Sequence, residues 1–329
     1  MYELLKEMVN IYGATGHEGR VADMAEKLLQ GKADRFRRDT LGSLLCEKKG
    51  ADPQGKRIML SAHMDQIGLV VVSVEKEGFL RLMPIGGIDL AVSKTRHISF
   101  ENNVQGVLVE QPVREGEKPR MKHMFADIGA ASEDEALAMV SLGDVAVYSS
   151  DCFRLGEHRV SAPAMDDRAA CALLVAIMRD LKECKNTVVA VFSAQEEVGC
   201  RGARTAAWSV EPDVGIALDV TGHGDTPETK LPAVKLGEGP AIKIMDQGSI
   251  SHPEVVEALL NAGRRAGVKT QREVLPFGGT DAMAMQQSRG GIPVGTVSIP
   301  CRYVHSACEV VDLRDMEGAK ALLLEYLNT

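Results

Sequence analysis

Apolar and polar positions follow two rhythms along this chain. Near the N-terminus YELLKEMVNIY carries apolar residues at helical spacing. After the glycine-rich turn GATGHEG, VADMAEKLLQGK does the same and ends near Gly31. RIMLSAHMD is a strand-like apolar run that turns polar at its end. From Ile67 to about His158 the texture changes to short alternating runs (LVVVSVEKEGFLRL, HISFENN, QGVLVEQ, VAVYSS) with frequent glycine and one predicted helix, SEDEALAMVSLG. Beyond Ala162 helices and strands alternate: helix RAACALLVAIMRDLKE, strand TVVAVFSA, helix RGARTAAWSV, strand VGIALDV, helix PEVVEALLNAGRRAG, strand PVGTVSIP and helix DMEGAKALLLEYL.

That alternation predicts an α/β protein: a mostly parallel sheet flanked by helices, interrupted by a small inserted β-rich domain. The larger domain is expected to be discontinuous, residues 1–66 and 159–329, with the insert at residues 67–158.

Composition narrows the partners. The 329 residues carry 38 Lys+Arg against 46 Asp+Glu, a formal net charge of −8. No global positive field is present to capture nucleic acid or an anionic membrane, so neither is expected as a partner. Aromatic residues make up 4% of the chain, which disfavours a sugar- or base-stacking platform. The seven cysteines form no Cys-x-x-Cys pair, and an odd, scattered set reads as reduced thiols in a cytoplasmic protein. The N-terminal MYELLKEMVNIYG has neither a basic flank nor a long apolar run, so no signal peptide is expected. No stretch reaches the roughly 18 apolar residues of a membrane span.

The candidate chemistry lies where apolar runs end. Four strand-like runs break into histidine or carboxylate at their C-terminal ends: RIMLSA before His63-Met64-Asp65, VVAVFSAQ before Glu196-Glu197, GIAL before Asp219, and TVSIPCRYV before His305. A fifth acidic step, Asp166-Asp167-Arg168, opens a predicted helix, where carboxylates are favoured. In open α/β sheets, ligands bind outside the carboxyl ends of the strands. Two histidines and several carboxylates converging there would form an N/O metal site, suited to zinc or a similar ion, and a bridging carboxylate suits two ions. Each motif alone has an ordinary structural reading; their ordered recurrence does not.

At SAHMDQIG, APAMDDRAA, FSAQEEVGCRGA, ALDVTGHGDTP, GGTDA and PCRYVHS the chain resembles the cytosolic dinuclear metallo-aminopeptidases, a family that includes glutamyl and tetrahedral aminopeptidases. Some of its members carry cellulase or endoglucanase names. KHMFADIGAASEDEA also resembles the family's insert. The resemblance spans nearly the whole chain and implies a zinc-peptidase-like catalytic domain hydrolysing N-terminal residues from short peptides. It implies two divalent metal ions per chain, zinc first, with cobalt or manganese as alternatives. His63, Asp219, Glu197 and His305 would be terminal ligands and Asp166 the bridge, with His63 and Asp219 on one ion and Glu197 and His305 on the other. Glu196 would be the general base and acid, and Asp65 would orient the His63 imidazole. The resemblance also implies a homo-oligomer, often a dodecamer, assembled with help from the insert.

Two positions depart from the family's pattern. Gln66 stands where an acid is expected, and His17 where an aromatic is common. Asp281 of GGTDA is expected to act structurally or by supporting a ligand. Asp167 and Arg168 are expected to pair and brace the loop that holds Asp166. The remaining histidines (97, 123, 158, 223 and 252) are assigned to surface or loop positions, and Cys200 and Cys301 to inert thiols near the site. Competing readings are a related dinuclear amidohydrolase (carboxypeptidase or N-acyl-amino-acid deacylase), a metal-free glycosidase, and a non-enzymatic assembly protein.

Overall fold

The structure, a computed structural model, describes residues 1–114, 116–230 and 232–328. The chain opens with helices α1 (Tyr2–Val9) and α2 (Gly19–Leu28), then strands β1 (Arg35–Arg38), β2 (Leu44–Lys48) and β3 (Arg57–His63). A β-rich section follows: β4 (Gly68–Val74), β5 (Leu80–Ile85), α3 (Leu90–Ser93), β6 (Arg96–Phe100), β7 (Gln105–Glu110), β8 (Met124–Asp127), α4 (Glu133–Met139) and β9 (Val145–Tyr148). The rest comprises β10 (Phe153–Leu155), β11 (Arg159–Ala162), α5 (Met165–Asp180), β12 (Thr187–Ser193), α6 (Arg201–Val210) and β13 (Val214–Thr221). Then come β14 (Ala241–Met245), α7 (Pro253–Arg265), β15 (Gln271–Val274), α8 (Asp281–Gln286), β16 (Val294–Arg302), β17 (Glu309–Asp312) and α9 (Leu313–Leu327).

Eleven strands form one sheet, in the order β1-β2-β12-β3-β13-β16-β17-β11-β10, with β14 and β15 branching from β16. The expectation of a mostly parallel sheet needs correction, because the sheet is mixed. Parallel pairing joins β12, β3, β13 and β16 at the centre, and β14 with β15 at the branch. The flanking pairs, from β1 with β2 to β10 with β11, are antiparallel. The physical reason is length and polarity. These flanking strands are three to five residues long, and β1 reads RFRR, so no long apolar run announced them.

The four central strands are buried on both faces, as parallel strands under helices must be. Their side chains divide with period two. Ile58, Leu60, Val188, Ala190, Phe192, Ile216 and Leu218 enter one core with residues of α1, α2, α5, α7 and α9. Met59, Val189, Val191 and Ala217 enter a second core with Ala206, Ala207, Ala282 and Met285 from α6 and α8.

Strands β4 to β9 close into a barrel, in the order β4-β5-β8-β7-β6-β9. Alternate residues (Leu69 and Val71, Leu80 and Leu82, Ile98 and Phe100, Met124 and Ala126) fill its interior. Closure leaves no unpaired sheet edge. The barrel leaves the main sheet just after β3, and the chain returns through β10 and β11 immediately before Asp166. It therefore interrupts the chain between two segments that meet again in space.

Candidate metal centre

The four parallel strands each deliver one of the polar steps seen in the sequence. His63 ends β3, Glu196 and Glu197 follow β12, Asp219 lies near the end of β13, and His305 follows β16. Asp166 and Asp167 have non-helical backbone angles at the head of α5 and present their carboxyls ahead of the helix proper; the peptide bond between them is cis. Backbone strain collects around these residues: Ala164, Gln195, Cys200, Tyr303 and His305 all have φ between 52° and 63° without being glycine. Such conformations persist where surrounding structure over-determines them, and they cluster at functional sites.

The side chains converge. Asp166 Oδ1 lies 3.0 Å from His63 Nε2, and Asp166 Oδ2 lies 3.2 Å from His305 Nε2. Glu197 Oε2 is 3.3 Å from the same His305 nitrogen, and Asp219 Oδ1 is 3.9 Å from His63 Nε2. Among the described residues two groups offer ligand atoms within 4.8 Å of one another: His63 with Asp166 and Glu197, and His63 with Asp167 and Asp219. His63 is 2% exposed and His305 32%, so the second imidazole forms the open lip of the site. A cleft of about 470 Å³ leads to it, with Leu275, Phe277 and Met283 as apolar wall and Lys243 in the lining. That is the size expected of a small-ligand site.

Electrostatics test whether cations fit here. Burial pushes Glu196 up to about 8, and Asp167 and Asp219 well above the usual carboxylate range, with neighbouring carboxylates adding to the effect. Glu197 is raised for the same reason. Burial opposes charge on both imidazoles, yet Asp166 and its neighbours overcome it, holding His63 well above its ordinary value and His305 up at about 12. Glu197 Oε1 is buried without a hydrogen-bond partner among the described residues. Crowded carboxylates that resist joint ionisation, beside two imidazoles, are satisfied by a divalent cation, and the N/O donor set suits zinc-like ions.

The supporting shell was only partly foreseen. The Asp65 carboxylate lies 3.5 Å from His63 Nδ1, while its own main-chain carbonyl is nearer, at 3.0 Å. The same carboxylate accepts the backbone N–H groups of Glu196 (2.9 Å) and Glu197 (3.2 Å) and the Thr15 hydroxyl (2.9 Å). Asp167 and Arg168 do not pair as expected. Asp167 accepts from the His63 and Ala170 N–H groups, whereas the fully buried Arg168 donates to the carbonyls of Met8, Ile11, Gly13 and Met64.

Asp281 accepts from Ser61 and Ser193, the hydroxyls of two neighbouring strands, and so ties the head of α8 beneath the site. The Cys200 thiol donates to Glu196 Oε1 at 3.2 Å. Gln66 borders a small cavity behind Glu197 and His305, while His17 pairs with Glu101 of the barrel outside the cleft. Of the other five histidines, His123 is buried in a 3₁₀ turn just before β8 and none belongs to the cluster. All seven cysteines are free.

Sequence reasoning missed Glu309. Its carboxylate accepts the N–H groups of Asp166 (2.9 Å) and His305 (2.7 Å), anchoring two cluster residues at once, and burial pushes it up to about 8. The only signal was an acid opening the short apolar run EVVD.

A mixed α/β sheet with an acid-rich, two-histidine cleft at the carboxyl ends of its parallel strands, joined to a closed barrel, defines a hydrolase of the peptidase class. The chain belongs to the M42 glutamyl aminopeptidase family, whose profile matches residues 42–322, and it is a peptide hydrolase. It is 35% identical to the lysyl aminopeptidase of Pyrococcus furiosus over 342 aligned residues, covering 98% of this chain and 97% of that one. Aminopeptidase APDkam598 from Desulfurococcus kamchatkensis superposes with a TM-score of 0.95 at 34% identity, covering 99% and 94% of the two chains. The TET1 peptidase of Pyrococcus horikoshii, described as assembling into a tetrahedron or a large octahedral shell, superposes at 0.89 with 31% identity, covering 99% and 98%. Among the described residues no helix is long and apolar enough to cross a membrane.

Proposed function

We propose that this aminopeptidase works with two divalent metal ions, held by His63, Asp219, Glu197 and His305 with Asp166 between them. The observation that carries this reading is the Asp166 carboxylate, which turns one oxygen to each imidazole. A carboxylate so placed can serve two cations at once, and zinc suits the donors, with cobalt or manganese accepted by the same set. Cations held there would supply Lewis acidity and a lowered water pKa.

The chain's own residues do the rest. Glu196 Oε1 accepts from the Cys200 thiol while Oε2 accepts no hydrogen bond among the described residues, which leaves Oε2 to take a proton from the attacking water and return it to the leaving amine. Burial favours the protonated carboxyl in that second task. Asp65 fixes the backbone of both Glu196 and Glu197, so base and ligand keep a constant separation.

The substrates would be short peptides with a free α-amino group. By likeness to the tetrahedral relative, and to a TET1 structure described as a dodecamer, the chain would form a homo-oligomer such as a dodecamer, with residues 67–158 as the assembly and access domain and residues 1–66 and 159–329 as the catalytic one. The cytoplasm is the compartment consistent with its free thiols.

The test is a matched pair of peptides, one with a free N-terminus and one N-acetylated, offered after loading with each metal. The free peptide is expected to lose its first residue in a chelator-sensitive reaction. Comparable cleavage of the acetylated peptide would instead favour a deacylase or other amidohydrolase.

A further inference from the structure

The loop between β5 and α3 carries two consecutive glycines, and both face the cluster. A Cβ on Gly86 would stand 3.0 Å from Glu197 Oε2 and 2.7 Å from Ile67 Cγ2. A Cβ on Gly87 would stand 2.8 Å from His305 Nδ1 and 3.1 Å from His305 Cε1, with nothing else within 4 Å. The two glycines are needed for different reasons. Gly86 has φ +78°, a conformation side chains resist, whereas Gly87 is outside that region and its backbone would suit any residue. Only the His305 ring makes position 87 intolerant of a side chain.

His305 needs such a wall. Its backbone sits at φ +63° and its ring is a third exposed, at the open lip of the site. One ring nitrogen, Nε2, faces Asp166 and Glu197; the other, Nδ1, faces Gly87. The His305 loop is also seated on the barrel through Ala307, which is buried in the barrel's core.

We propose that Gly87 is a positioning residue. The barrel loop is a backstop that holds the His305 imidazole with Nε2 turned into the cluster, and the missing side chain at position 87 sets where the ring rests. The inserted barrel thus completes the metal site rather than serving assembly alone. This inference rests on reading His305 as a metal ligand.

A double-mutant cycle tests it in the full-length chain, using Gly87→Ala, His305→Ala and the pair together, with Gly290→Ala as control because a Cβ there meets nothing within 4 Å. Zinc affinity is read by competition with a chromophoric chelator, without substrate, alongside the melting temperature of metal-free protein. Gly87→Ala is expected to weaken binding of one of the two ions by about 10–100-fold, the size typical of disturbed ligand support, while the control binds as the unaltered chain does. In the His305→Ala background the added methyl has nothing to strike, so the double variant should match His305→Ala. Should Gly87→Ala fail to fold, recovery of folding in the double variant supports the same clash, and failure of both overturns it. Unchanged zinc affinity in Gly87→Ala, or losses that simply add, would also overturn the proposal. Full-affinity binding of both ions by His305→Ala would instead remove the ligand reading beneath it.

Discussion

Asp65 shows how much one side chain can join. A carboxylate two residues past the end of β3 reaches the backbone of Glu196 and Glu197, the Thr15 hydroxyl and, at longer range, the His63 ring. Burial opposes its charge, but these donors hold it below the usual carboxylate range. In Asp65→Asn one oxygen becomes an NH₂ group that must confront an N–H donor. We expect turnover to fall by about 10–100-fold with one or both ions bound more weakly, measured by steady-state kinetics and metal titration. The sequence exposed this residue but not its main partners, because backbone acceptance leaves no motif. It misled at Asp167 and Arg168. Adjacent opposite charges look like a pair, yet neighbouring positions at a helix start do not face each other. The two side chains part, one toward the site and one toward the N-terminal segment.

At the scale of elements, Arg168 ties the head of α5 to the last turn of α1, to the chain after it and to the residue following β3, donating to four backbone carbonyls. Each acceptor left buried without a donor costs about 1–3 kcal/mol. Arg168→Met keeps the volume and removes the guanidinium; the Met8 and Gly13 carbonyls keep backbone donors, whereas those of Ile11 and Met64 lose theirs, so it should lower unfolding free energy by at least about 2 kcal/mol in urea titrations. The four central strands were legible because each is a long apolar run ending in an acid or histidine, and that ending placed the site as well. The short antiparallel strands were not, since three to five residues are too few to carry a period. Glu309 went unseen with them: it opens β17, a strand too short to announce itself.

Across the whole molecule, the acid cluster makes stability depend on pH and metal together. Glu196 starts from 4.5 and Glu309 likewise, and folding raises both to about 8. Between those values the native state holds more protons than the unfolded chain, so their contribution is fully present below 4.5 and lost as pH rises through about 8. His305, raised to about 12, adds the same sign above 6.5. Asp166, held below its ordinary 3.8, acts oppositely and only in stronger acid. Metal-free protein should therefore melt at progressively lower temperature from pH 4.5 to about 8, and saturating divalent metal should reduce that decline in calorimetric scans. The central claim, a two-ion site whose proton is carried by Glu196, is tested most directly by Glu196→Gln, measured for metal content and for turnover of a free peptide in one preparation. The account predicts two ions retained with turnover down by about 10²–10⁴-fold. Near-normal turnover in that variant would contradict it.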